Sequence, residues 1–181
     1  MQFKRIEKIA KGWSSYIWKV MLADGRCAVL KEVREKSPRK NLAEREGKFL
    51  KLANSVGVGP MMFEANRKGN YILMEYIEGP IFRDWVLDEK VSRSELYDFI
   101  KELYRQLLLL DSISVSHNQL QIGKNILVAR DGNKLVPVII DFEKATMKQE
   151  TKNLGQIKSF LFYNPNGVVA KKVRKILNLI I

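Results

Sequence analysis

The chain carries one cysteine, Cys27, one histidine, His117, and five prolines in 181 residues. A lone thiol closes no intramolecular disulfide, so a small secreted fold held by bridges is excluded and a reducing compartment is expected. No apolar run approaches the roughly 18 residues that cross a bilayer. The opening stretch MQFKRIEKIAKGWS lacks the apolar segment and cleavage pattern of a secretory signal, so a cytoplasmic protein without a transmembrane segment is expected. Acidic residues are the minority: 20 Asp and Glu against 32 Lys and Arg leave a formal charge of +12. That excess favours an acidic partner, whether RNA or other nucleic acid, nucleotide phosphates, an anionic membrane or an acidic protein, and chooses none of them. The basic residues are densest at 34–40 (REKSPRK) and 171–175 (KKVRK) and otherwise run from Lys4 to Lys175, as a solvated basic face also would.

Hydrophobic residues at 46% and charged residues at 29% are ordinary for a globular chain, and the length suits one domain or two closely joined lobes. The first third reads as strands: IEKIAKG, YIWKVMLA and CAVLKEV are divided by KGWSS and by the hairpin signal Asp24-Gly25. Leu42 to Asn54 reads as a helix with Leu42, Phe49, Leu50 and Ala53 near one face. Two further strands flank Lys68-Gly69-Asn70. Beyond Gly79-Pro80 the pattern turns helical, with Ser94 as N-cap of a long helix to Asp111. A hairpin follows around Asp131-Gly132-Asn133, then two short helices broken at Asn164-Pro165-Asn166-Gly167. In the last of these, Val169, Val173, Ile176, Leu177 and Ile180 share a face suited to packing on the helical part, with membrane-surface or partner binding as the other use. Trp13, Trp18 and Trp85 read as packing residues.

Several segments carry chemistry. Lys11 to Lys19 contains a small-residue turn, Gly12-Trp13-Ser14-Ser15, that lets backbone N–H groups approach phosphates, although an ordinary hairpin turn has the same composition. Lys31 alternates with Val29 on the third strand and points inward if Val29 does; a surface lysine is the plain alternative. A buried lysine needs a counter-charge. Glu46 stands three and four positions before Phe49 and Leu50 and is preferred over Glu44 for that role. Asp141 ends the apolar run Val138-Ile139-Ile140, with Asn125 upstream, a combination that suits a hard cation such as Mg2+ as well as a plain strand end.

Taken in order, these segments resemble the protein kinase-like superfamily, closest to the minimal archaeal members akin to the RIO kinases and the kinase of the KEOPS complex. The resemblance covers about residues 5 to 145. It implies an α+β, two-lobed, minimal kinase-like domain: an antiparallel-sheet N-lobe with one helix at about 1–76, a hinge at about 75–80 and a reduced helical C-lobe at about 80–181. It implies ATP and Mg2+ as ligands, with Gly12, Ser14 and Ser15 over the phosphates and Lys31 contacting them while paired to Glu46. Met74 would be the gatekeeper, the backbone of Glu75 and Ile77 would face adenine, and Asp141 with Asn125 would hold metal. His117 would be a structural residue at the base of the catalytic loop.

The chain departs from that pattern at the catalytic loop. His117-Asn118-Gln119 stands where the family has HRD or HGD, so Gln119 occupies the position of the catalytic Asp, and an amide accepts no hydroxyl proton as a carboxylate does. Asn125 follows Gln119 by six residues where the pattern has five. Asp141-Phe142-Glu143 replaces DFG, and too little chain follows for an activation loop with a full substrate lobe. The expected function is an ATP- and Mg2+-binding atypical or slow phosphotransferase of the Ser/Thr kinase type, or an ATPase, acting on an unknown protein or small-molecule phosphoacceptor. A nucleotide-binding pseudokinase that regulates a partner is the alternative, and a basic RNA-associated accessory protein the second.

Overall fold

Alternating apolar and polar residues at the start of the chain pair as strands. In the computed structural model, which describes residues 1–37, 41–88 and 90–180, β1 (Phe3–Lys11), β2 (Ser15–Leu22) and β3 (Cys27–Val33) form consecutive antiparallel partners. The Asp24-Gly25 signal falls in a four-residue connection, Ala23 to Arg26. Gly25 takes φ 85°, its N–H donates to the Leu22 carbonyl, and the Asp24 carboxylate accepts from the Arg26 N–H. After helix α1 (Leu42–Asn54), β4 (Met62–Asn66) and β5 (Tyr71–Glu75) complete a five-stranded antiparallel sheet of order β1-β2-β3-β5-β4. β1 is an edge strand, exposed from Lys4 onward. Of the basic stretch 34–40, residues 38–40 lie outside the described residues.

The rest of the chain is mostly helical: α2 (Phe82–Leu87), α3 (Arg93–Ser112), α4 (Asn153–Lys158), continued by a π-helical turn Ser159–Tyr163, and α5 (Val168–Leu177). Two small antiparallel pairs are set among them. β6 (Val115–Ser116) pairs with β9 (Thr146–Met147), and β7 (Ile126–Asp131) with β8 (Lys134–Ile139). The architecture is therefore mixed α+β, and among the described residues no helix is long and apolar enough to cross a membrane.

One apolar cluster runs from Leu42, Phe49 and Leu50 of α1 through Phe142 to Phe99, Leu103 and Leu107 of α3 and Val169 and Val173 of α5. A smaller cluster on the alternate face of the sheet holds Val20, Leu22, Ala28, Leu30 and Leu73. Two glycines permit close approaches that position the parts. A Cβ on Gly47 would sit 2.7 Å from that of Ala65, so α1 lies flush on β4. A Cβ on Gly79, at φ 153°, would lie 2.0 Å from the Val128 carbonyl oxygen, where the chain leaving the sheet crosses the β7–β8 hairpin.

Some expectations need correction. The N-cap of α3 is Ser92, not Ser94, because only Ser92 has Glu95 three positions on to close a capping box in which each side chain bonds the other's backbone N–H. α2 has no counterpart in the sequence reading. It lacks enough turns to show a period, and Phe82 and Trp85 meet Phe99 with ring centroids 5.3 and 5.0 Å away. Ile180 does not share the buried face of α5, since Asn178 ends the helix in the left-handed region at φ 56° and Ile180 is fully exposed. Trp85 packs as expected, but Trp13 is 78% exposed at the tip of the β1–β2 turn.

Candidate functional site

The site grows from Lys31. It lies in the middle of β3, between Ile17 of β2 and Ile72 of β5, and only 8% of it is exposed. α1 sets Glu46 opposite because Phe49 and Leu50, on the same helical face, are anchored in the core. The Lys31 Nζ is 2.7 Å from Glu46 Oε2, while the rejected Glu44 is exposed and faces Arg67. From the other side comes Asp141, whose Oδ1 is 2.6 Å from the same ammonium. Asp141 adopts the left-handed region at φ 67°, ahead of the 3-10 turn Phe142–Lys144. That turn is pinned by the buried Phe142, whose ring meets the His117 imidazole edge-on at 5.0 Å.

Glu143 joins them and is the residue the sequence reading missed. Its carboxylate is 3.9 Å from Lys31 Nζ and accepts a hydrogen bond from Ser14 Oγ at 3.0 Å. The signal was present in Asp141-Phe142-Glu143, since with Phe142 turned into the core its two acidic neighbours are left on the polar side. Ligand atoms of Glu46, Asp141 and Glu143 lie within 4.8 Å of one another.

Three carboxylates around one ammonium set the electrostatics. Burial pushes the Glu46 carboxyl up to about 7, Lys31 opposes that, and the charges of Asp141 and Glu143 add to it. Lys31 is raised above its ordinary value because its acidic partners outweigh the desolvation that acts against its charge. Burial leads for Glu46 and its acidic neighbours add to it, whereas for Lys31 the acidic neighbours prevail over burial. The unfolded chain releases the Glu46 proton near 4.5 and the folded chain near 7, so the folded state binds more protons in that window. The group's contribution to stability is thus greatest below pH 4.5, declines as pH rises through the window and is gone above 7. His117, held below its usual value by burial, pulls the other way as pH falls through its range. We therefore expect urea midpoints at pH 5 and pH 8 to respond differently to Glu46→Gln, which removes the Glu46 titration and leaves that of His117. A variant with the same pH dependence as the parent would remove Glu46 from this account.

The other residues named from sequence are distributed as follows. The Gly12 N–H donates to the Ser15 carbonyl at 2.8 Å, and Arg34 donates to the carbonyls of Gly12 and Trp13, which holds the turn against the end of β3. Ser15 shares the sheet face of Ile17 and Lys31, is 2% exposed, and its Oγ has no hydrogen-bond partner among the described residues. Gln119 and Asn125 are joined to each other, the Asn125 amide donating to the Gln119 carbonyl at 3.2 Å. The Asn125 carbonyl accepts from the Ile140 N–H, next to Asp141. The extra residue between positions 119 and 125 is taken up by a 3-10 turn, Leu120–Ile122, closed by Gly123 at φ 63°. Gln119 Oε1 is buried and has no partner among the described residues. Met74 is buried at the end of β5, the Glu75 N–H is committed to the Met61 carbonyl, and the Ile77 backbone has no hydrogen bond among the described residues. The structure thus joins Ser14, Lys31, Glu46, Asp141 and Glu143 directly, and does not link Glu75, Ile77 or the Gln119 side chain to them.

His117 and Asn118 hold the framework beneath. The His117 Nε2 pairs with the Ile140 carbonyl at 2.9 Å, and the His117 backbone N–H donates to the Asn153 side-chain oxygen. The Asn118 amide bonds the Lys144 carbonyl and Thr146, tying its loop to the segment after Asp141. A surface groove of about 690 Å3 between α3 and the β7–β8 hairpin lies apart from this cluster and is lined by charges of both signs, among them Glu95, Lys101, Arg105 and Lys134.

No family model matches the chain. Over 106 residues, 59% of its length, it is 32% identical to the uncharacterized protein MJ1211 of Methanocaldococcus jannaschii, of which 84% is covered. Over 90 residues, 49% of its length, it is 34% identical to the KEOPS complex subunit Bud32 of Pyrococcus abyssi, of which 40% is covered.

Proposed function

This chain belongs to the same family as the uncharacterized Methanocaldococcus jannaschii protein, and we propose that it is a two-lobed, kinase-like protein that binds ATP with Mg2+ between its lobes. The sheet with α1 would form the first lobe, residues 75–80 the hinge, and the remainder a reduced second lobe. Its activity would be slow phosphoryl transfer of the Ser/Thr kinase kind, or ATP hydrolysis, in the cytoplasm. The partial likeness to a KEOPS complex subunit is compatible with this reading. The observation that carries it is the buried Lys31 ammonium, held at 2.7 Å by Glu46 and at 2.6 Å by Asp141. An unaided lysine in the interior is costly, and one oriented by two acids from different elements is placed to meet a phosphate.

The residues fit the ligands. Asp141 and Glu143 offer hard oxygen donors, and the Asn125 side-chain oxygen makes no hydrogen bond among the described residues, its amide nitrogen being bound to Gln119. Bound Mg2+ would supply neutralisation of phosphate charge. The orphaned Ser15 Oγ is a buried donor that a phosphate oxygen would satisfy, beside Lys31 on the same face. The Ile77 N–H, without a hydrogen bond among the described residues, is available to an adenine edge. Opening the Ser14 to Glu143 hydrogen bond would let the Gly12 to Ser15 turn lift over the phosphates.

The test is release of labelled phosphate from γ-labelled ATP with Mg2+, with Gln119→Asp as the informative variant. Phosphoryl transfer depends chiefly on positioning and charge, so the parent should turn over slowly. Gln119→Asp supplies a carboxylate and should raise the rate at least about tenfold, less than the ~10² to 10⁴ of an aligned base because the turn at 120–122 shifts the loop. No turnover by either protein would favour the pseudokinase reading, which the buried, unpartnered Gln119 Oε1 supports.

A further inference from the structure

We propose that the outward side of α5 docks the protein on a membrane surface bearing anionic lipid headgroups. From Thr151 to Ile181 the sequence holds six Lys and Arg and no Asp or Glu, which is half of the +12 excess of the whole chain. Four of the six, Lys171, Lys172, Arg174 and Lys175, stand on α5. The apolar side of that helix is buried in the core through Val169, Val173 and Leu177, so any contact it makes with a partner uses the opposite side. There Val168, Lys171 and Lys175 stand three and four positions apart, which lines them along one side of the helix, and all three are exposed. Lys172, four positions after Val168, flanks them, while Arg174 turns to the Phe162 carbonyl. The ion pairs of the described residues use other cations, so no carboxylate among them neutralises this side.

Both ends of this basic row are apolar. Val168 is exposed at the start of the helix, and at its end Asn178 turns the chain through the left-handed region and leaves Leu179 and Ile180 exposed. These aliphatic side chains decide between polyanions. A nucleic acid matches lysines with phosphates but gives Val168, Leu179 and Ile180 nothing to enter. A lipid surface meets both, with headgroups for the ammonium groups and the acyl boundary for the aliphatic tips. Neither part anchors strongly alone, since salt screens exposed lysines and a few aliphatic side chains insert weakly, so the attachment is reversible and salt-sensitive. The inference does not depend on nucleotide binding.

The experiment uses the full chain and phosphatidylcholine vesicles, with and without about 30% phosphatidylglycerol, at about 0.1 M salt. Flotation measures the bound fraction against lipid concentration. The expected result is partition onto the anionic vesicles at least about tenfold stronger than onto the neutral ones, weakening as salt is raised. Lys171→Ala combined with Lys175→Ala should weaken it about twentyfold, and Ile180→Ser about tenfold. These positions are exposed, so the variants should melt like the parent. Lys4→Ala combined with Lys8→Ala removes as much charge from β1 and should leave partition nearly unchanged. Equal weakening by the two lysine pairs would make the attraction a diffuse effect of net charge and overturn the inference. Equal partition onto neutral vesicles, partition onto neither, or an Ile180→Ser variant that binds like the parent would also overturn it. So would binding of a short oligouridylate in place of vesicles, which would make a phosphate chain the ligand.

Discussion

Replacing Lys31 by Met should destabilise the protein by about 3–5 kcal/mol at pH 8 and by distinctly less at pH 6. The cost at pH 8 arises because Glu46, 2% exposed and without its cation, must either keep a buried charge beside Asp141 and Glu143 or take up a proton that the solution at that pH gives up less readily. Below pH 7 Glu46 can take up a proton instead, since burial already holds its carboxyl up to about 7 even with Lys31 in place. Without the ammonium its pKa rises further, so the neutral form relieves the penalty over a wider range. Thermal unfolding of parent and variant at the two pH values measures this directly. An equal penalty at both would mean that Glu46 does not depend on Lys31 for its charge.

Removing residues 168–181 should unfold the protein or bring it close to unfolding. α5 presents Val169, Val173 and Leu177 at 5%, 0% and 8% exposure, inside the cluster that also holds α3 and Phe82. Each such side chain is worth ~1.5 to 3 kcal/mol on full burial, so their joint loss is comparable to the ~5 to 15 kcal/mol that holds a domain folded. Further apolar surface of Phe82, Phe99 and Leu103 would be opened to water. Circular dichroism melting of the truncated chain should show no cooperative transition above about 30 °C, given the several degrees lost per kcal/mol in a domain of this size. A melting curve like the parent's would show α5 to be an appendage. The basic residues of this helix lie mainly on the solvent side, where Lys171 and Lys175 are exposed.

Much of this arrangement was legible in the sequence, for identifiable reasons. The limits of α1 were recovered to the residue because its apolar positions repeat at helical spacing and Gly57 follows. The choice of Glu46 over Glu44 followed from the same period, since only Glu46 shares the face of Phe49 and Leu50. Hairpins were found wherever Asp-Gly marks the turn. What was missed depends on tertiary contact. The link between Ser14 and Glu143 joins the first turn of the chain to the segment after β8, and no local pattern encodes it. α2 is too short to show a period and is held by stacking on Phe99. Trp13 reads as a packing residue by type, yet its turn projects it into solvent. Ile180 continues the apolar period of α5 in sequence, but the helix has ended at Asn178.

Calorimetric titration of Mg·ATP into the parent, Lys31→Met and Asp141→Asn tests the central claim most directly. Losing one partner of a buried charge contact costs about 2–5 kcal/mol, which corresponds to a weakening of at least about thirtyfold. The account predicts saturable binding by the parent that requires Mg2+, and a loss of that size in both variants, with Asp141→Asn losing the Mg2+ dependence as well. Binding of equal strength by all three proteins, or none by the parent, would contradict the assignment of Lys31 and Asp141 to a nucleotide site.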